Sequence, residues 1–187
     1  LITAKIQFNP KDLEKSLKGI SKSVERSQRR AVDRSLKRTR RYFVDEAYSL
    51  INLQKGVIKE KYTEIRKSFS GLDGFLKINA KPVSLVNFTR LKSPKRIKTK
   101  KGLSVRIYRG QPAKTYPKSF AAFGKNGNLQ VFKRKVGGRY PLEKLFGPGP
   151  REVYEFPGFG EDLQEFFNSE YQKEFTSNLK RLEKLRR

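Results

Sequence analysis

Apolar positions along this chain change their period more than once. Ile2, Ala4, Ile6 and Phe8 alternate with Thr3, Lys5 and Gln7, which predicts a short strand ending at Asn9 and Pro10. Leu13, Leu17, Ile20, Val24 and Ala31 then recur at helical intervals, and Val32, Leu36, Phe43, Ala47 and Leu50 continue a drifting stripe. Asn9 suits an N-cap, Pro10 suits the first helical position, and Asp12 and Glu14 lie where the helix dipole favours acids. A long helix reaching Leu53 is predicted. Its other face carries Arg29, Arg30, Arg34, Lys37, Arg38, Arg40 and Arg41, either as a solvated face or as one turned to DNA or a partner. After Gly56, the spacing of Val57, Ile58, Tyr62, Ile65 and Phe69 predicts a shorter second helix over residues 57–69, stopped before Gly71.

From Phe75 onwards the pattern favours strands, predicted over residues 75–80, 83–88, 103–108, 119–123 and 129–136. Gly124, Lys125, Asn126, Gly127 and Asn128 join the last two as a hairpin turn tolerant of positive φ. Gly147, Pro148, Gly149 and Pro150, then Pro157, Gly158, Phe159 and Gly160, interrupt regular structure and mark a connector. A final helix opens at Glu161 and Asp162 and continues towards the C-terminus. Leu163, Phe167, Tyr171, Phe175, Leu179, Leu182 and Leu185 lie on one side, with the acids early and Lys180, Arg181, Lys184, Arg186 and Arg187 late. The expected architecture is a single α+β domain over residues 1–187, with a central antiparallel β-sheet, a long N-terminal helix, a short second helix and a long C-terminal helix. Its parts are a helical region at 9–69, a basic β-region at 72–142, a connector at 143–160 and the last helix at 161–187.

Charge sharpens this picture. Lys and Arg number 44 against 18 Asp and Glu, a formal net charge of +26, which calls for a polyanion nearby or a large surface to dilute it. Its distribution is uneven: residues 1–73 hold 18 basic and 9 acidic side chains, and residues 143–187 hold 8 and 9. Residues 74–142 hold 18 basic side chains and no acid, so this stretch supplies most of the excess. Its densest part, Arg90, Lys92, Lys95, Arg96, Lys98, Lys100 and Lys101, lacks the apolar residues to fold alone and reads as an exposed arm over residues 90–101. The arm, with Arg106 and Arg109, is the candidate phosphate-contacting surface, against the plainer reading of a solvated charge run. Phe88, Tyr108, Tyr116, Phe120, Phe123, Phe132 and Tyr140 could stack bases, but a chain without Trp or Met needs most of these rings in its core.

The chemistry open to the chain is narrow. With neither Cys nor His, disulfides, ordinary zinc sites and the usual base of a Ser or Cys nucleophile are excluded. Glu161, Asp162 and Glu165 are explained by the helix dipole without a metal ion. The glycines at 124–127 and 137–138 lack the spacing of a nucleotide cradle, and the glycosylation triplet Asn87, Phe88, Thr89 is discarded as chance. No cofactor is expected. There is no apolar run of spanning length and no signal-peptide pattern over residues 1–10, so a soluble, unexported protein is expected.

The segment Phe120, Ala121, Ala122, Phe123, Gly124, Lys125, Asn126, Gly127, followed by Gln130 to Arg134, then Arg139, Tyr140, Pro141, Leu142, and Gly147, Pro148, resembles the minor tail protein Z family of tailed bacteriophages. The order of parts is similar as well: a long helix with Arg and Ala, a very basic middle, a strand, a Gly turn, a strand ending in basic residues, an Arg-Tyr-Pro step and a Gly-Pro before the last helix. The Gly149, Pro150 extension and the Phe-rich last helix depart from the family pattern. The resemblance implies a structural virion component of the tail or neck, made in the host cytoplasm, acting in tail completion or at the head-proximal end of the tail. It implies no catalytic residues. The expected partners are other phage tail or neck proteins, double-stranded DNA through phosphate contacts, and further copies of the chain in a ring, with no membrane. Arg139, Tyr140, Pro141, Phe167 and Tyr171 are the candidate partner contacts. Two rivals are a sequence-independent nucleic-acid-binding module of ribosome- or chromatin-associated type, and a metal-dependent enzyme acting on nucleic acid. The second is weakened by the absence of any acid between Asp73 and Glu143.

Overall fold

In the computed structural model, which describes residues 22–69, 71–89, 91, 102–135 and 140–184, the drifting apolar stripe lies on the helix α1 (Lys22–Leu50). The predicted strand at 2–8, the start of the first helix and all seven cations of the predicted arm lie outside the described residues. Ala31, Val32, Leu36, Phe43 and Ala47 on α1 are fully buried, as the helical spacing requires. The helix stops at Leu50, which is exposed, rather than at Leu53. Residues beyond it find other backbone partners. Ile51 bridges Tyr108, the Asn52 amide donates to the Ile107 carbonyl at 2.7 Å, and the Asn52 side-chain nitrogen donates to the Arg106 carbonyl at 3.0 Å.

The second helix differs from the expectation. Helical structure is confined to α2 (Lys55–Val57) and a π-helical turn over Ile58–Tyr62, and the residues that follow form the strand β1 (Thr63–Lys67). Ile58 and Tyr62 are both buried, so the helical spacing is used for one turn. The Thr63 hydroxyl then donates to the Lys59 carbonyl at 2.8 Å, and β1 pairs in antiparallel fashion with β2 (Gly74–Ile78), Ile65 opposite Leu76. Phe69, placed on the helical stripe by spacing alone, is fully exposed.

The remaining strands divide among small antiparallel sheets rather than one central sheet. Beyond the β1–β2 pair, β3 (Val83–Ser84) pairs with β9 (Phe146–Gly147), and β4 (Leu103–Val105) with β5 (Lys114–Tyr116). A three-stranded sheet has the order β6 (Ser119–Phe123), β7 (Leu129–Arg134), β8 (Leu142–Lys144). The strand predicted at 83–88 is cut short by a 3₁₀ turn over Leu85–Phe88, which puts Leu85 and Phe88 on one side and buries both. The β6–β7 hairpin forms where the glycines and asparagines predicted it: the Gly124 amide donates to the Asn128 carbonyl at 2.9 Å, and Gly127 takes φ +69. The connector contains β8, β9 and one helical turn, α3 (Arg151–Tyr154).

The last helix, α4 (Phe159–Lys184), packs antiparallel along α1. Side-chain partners step back along α4 as they advance along α1. Asn178 meets the Ser27 carbonyl, Arg34 meets Glu174, Arg38 meets Glu170, the Tyr42 ring stacks on Phe166 at 4.6 Å, and Phe43 lies against Phe159. On its apolar side Leu163, Phe167, Tyr171 and Phe175 are buried, with the Tyr171 and Phe175 rings stacked at 5.8 Å. α1 also packs against β1 and β2, and one core of buried side chains joins the two long helices to the strands.

Candidate nucleic-acid interface

Past the predicted arm, the described part of the basic middle resumes at Gly102, whose φ of +92 and whose close approach to Tyr116 both demand glycine. A Cβ there would lie 2.0 Å from the Tyr116 carbonyl oxygen. Gly102 therefore sets the direction in which the chain enters β4. The Leu103 amide donates to the Ser119 hydroxyl at 3.0 Å, tying this entry to β6. Arg106, Lys114, Lys118, Lys125, Arg134 and Lys135 follow as exposed side chains. Among the described residues none of these six forms an ion pair. Two lie over aromatic rings instead: Lys114 is 5.9 Å from the centre of Tyr116, and Arg134 is 5.6 Å from that of Phe120.

Arg109 is different, because its side chain is engaged within the chain. Its guanidinium lies 3.7 Å over the Tyr48 ring, Nε donates to the Tyr48 carbonyl at 2.5 Å, and a terminal nitrogen donates to the Leu53 carbonyl at 3.5 Å. These bonds fasten the basic segment to the end of α1, and an arginine so occupied positions its neighbours rather than reaching outward. Tyr108 helps from the other side by donating to Glu152 of α3 at 2.9 Å; burial, with the Glu152 carboxylate, raises its pKa. Arg106 is held in place through its backbone by Asn52, which leaves its side chain exposed.

The cations of α1 are used otherwise. Glu170 and Glu174 are largely buried beneath half-exposed arginines: Arg34 bonds Glu174 at 3.0 Å, and Arg38 bonds Glu170 and, at 2.7 Å, Glu174. Arg38 and then Lys173 hold the Glu170 carboxyl below its ordinary range. Arg34 and Arg38, part of the basic face in sequence, are thus internal fasteners between the two long helices. The signal was present in the sequence as an Arg pair at i, i+4 on the first helix and a Glu pair at i, i+4 on the last. Asp33 is shared by Lys37, at 2.7 Å, and Lys67 of β1; burial alone would raise its pKa, and hydrogen bonds from the two lysines hold it low.

Of the candidate partner contacts, Tyr140 and Pro141 are exposed, at a cis peptide bond. Phe167 and Tyr171 are not available to a partner, since both are buried in the chain's own core. Helical spacing marks an apolar side without telling which protein covers it, and here it is covered within the chain, chiefly by α1. Burial pushes the Tyr171 hydroxyl up to about 12, against a smaller opposing effect of the Gln28 side chain. Arg139 lies outside the described residues. Of the rings weighed for base stacking, Phe88 and Phe132 are buried, Tyr108, Tyr116 and Phe120 are half-buried, and Phe123 and Tyr140 are exposed.

The described surface can therefore attract anions through cations that carboxylates do not neutralise. Among the described residues no group of three potential metal-ligating side chains occurs, and no helix is long and apolar enough to cross a membrane. In comparisons with known proteins, the family model described as prophage minor tail protein Z (GPZ) matches residues 11–187. No match was found among curated proteins or solved structures.

Proposed function

Because the chain belongs to the prophage minor tail protein Z family, a family of structural phage tail proteins, we propose that it completes the tail at its head-proximal end, next to the DNA passage. The observation that carries this reading is the acid-free middle of a family member. A segment with 18 Lys and Arg and no acid over residues 74–142 suits a position beside DNA and is costly away from a polyanion. In this role the cations meet phosphates in any sequence, and α1 and α4 form the stiff body that holds them. Further copies of the chain would close a ring around the axis, with other tail or neck proteins above and below. The role is structural, and nothing in it requires a catalytic group.

Electron microscopy of particles assembled with and without this chain tests the reading. A ring at the head-proximal end of the tail, lost when the chain is omitted, is the expected result. Density for the chain along the tail tube or at the distal tip would overturn it.

A further inference from the structure

A second basic feature lies apart from the acid-free middle. A cleft of about 640 Å³ separates α1 from the α2 turn, with Lys37, Arg40 and Arg41 on one wall, Lys55 and Lys59 on the other, and Asp45 as the one carboxylate among the described residues that line it. Val44 and Gly56 complete the lining. Lys37, Arg40 and Arg41 stand at i, i+3 and i+4 on one helix face, and Lys55 and Lys59 at i, i+4, spacings at which like charges repel. Asp45 relieves only part of this. It pairs with Lys55 at 2.5 Å, which ties the two walls together, and lies 3.9 Å from Arg41. Lys37 has Asp33, whereas Arg40 and Lys59 form no ion pair among the described residues.

We infer that this cleft seats backbone phosphates of DNA, with Arg40 and Lys59 as the groups that bind them from opposite walls. The inference rests on the DNA-proximal reading above and adds a site to it. Phosphate is favoured over an acidic protein segment because the cleft continues the basic middle. The Tyr48 ring, covered by Arg109 from that segment at 3.7 Å, also carries Lys55 of the cleft at 5.0 Å from its centre. One strand of DNA could thus touch both. Among the described residues the cleft has no aromatic lining on which a base could stack, so the contact is to the backbone.

The test is duplex binding by the whole chain, followed by fluorescence anisotropy over a series of NaCl concentrations. Arg40→Gln with Lys59→Gln should make the slope of log K against log salt shallower by about 1.8, since each lost phosphate contact is worth about 0.9. Gly56→Glu should weaken binding as well by placing a carboxylate in the cleft. Its Cβ meets nothing within 4 Å, so a melting curve like that of the unchanged protein is expected. If the unchanged protein does not bind duplex DNA, both the DNA-proximal reading and this site fall. If it binds and all variants keep its slope, the cleft site alone is overturned. If polyglutamate displaces the duplex as well as phosphate-bearing competitors of equal charge do, and only when Arg40 and Lys59 are present, the cleft takes an acidic protein segment and the inference is wrong.

Discussion

On the flank of α1 that meets α4, arginines face carboxylates; on the flank that meets the α2 turn, cations face one another. Arg34 and Arg38 cover Glu170 and Glu174, while Arg40 and Lys59 share a cleft in which Asp45, the one acid among its described lining residues, is already engaged by Lys55. Both flanks belong to one helix and draw on one run of basic residues. The difference lies in what the tertiary structure brings against them. Where a buried acid waits, the cation completes the fold; where none does, its charge remains available to a ligand.

The comparison can be tested first at the packed flank. Phe167→Ala empties the centre of the layer between α4 and the core, and a loss of about 3–5 kcal/mol in stability is expected by denaturant unfolding. Arg38→Leu leaves Glu170 and Glu174 without their shared partner. Because Arg38 is itself half exposed, about 2 kcal/mol is expected rather than the full cost of a broken buried pair.

The same flank predicts a pH dependence. Glu170 is held below its ordinary value by Arg38 and Lys173, so its folded pKa lies below its unfolded one. The stability it contributes is present above the unfolded value, about 4.5, and is lost as pH falls through the folded value. Thermal melts of the unchanged protein should therefore decline below about pH 4.5, and Glu170→Gln should flatten that decline. A decline of unchanged steepness in the variant would remove Glu170 from the account.

Smaller effects are expected towards the open flank. Arg109→Lys keeps the charge but loses the planar stack on Tyr48 and the Nε bond to its carbonyl, at about 1 kcal/mol. Arg40→Gln should change stability by no more than about 0.5 kcal/mol in either direction, because no described carboxylate depends on it. A large loss at Arg40 would erase the contrast between the flanks.

Much of the helical layer was legible from spacing. Val32, Leu36, Phe43 and Ala47, and Leu163, Phe167, Tyr171 and Phe175, all reach the core, because helical period and burial coincide over many turns. Short segments were less legible. Ile58, Tyr62, Ile65 and Phe69 fit a helix as well as Thr63 and Ile65 fit a strand, and pairing with β2 decided the matter. β5, β8 and β9 are two or three residues long, too short for a period to emerge, and they exist through their partners. The candidate site was legible as a charge imbalance in the middle of the chain. The role of Arg109 was not, since its partners Tyr48 and Leu53 lie more than fifty residues away.

The sequence by itself determined the two long helices and their apolar sides, the hairpin at Gly124–Asn128, the excess of positive charge and its placement, and the absence of His and Cys chemistry. These depend on local period, on backbone preferences of single residues, or on composition, and none needs a distant partner. Only the tertiary structure decided which cations are spent. An arginine in sequence carries the same charge whether it will cover Glu170, stack on Tyr48 or face an open cleft. Its availability depends on which distant groups packing brings within a few ångströms, and the strength of a charge interaction is set by that distance and by burial.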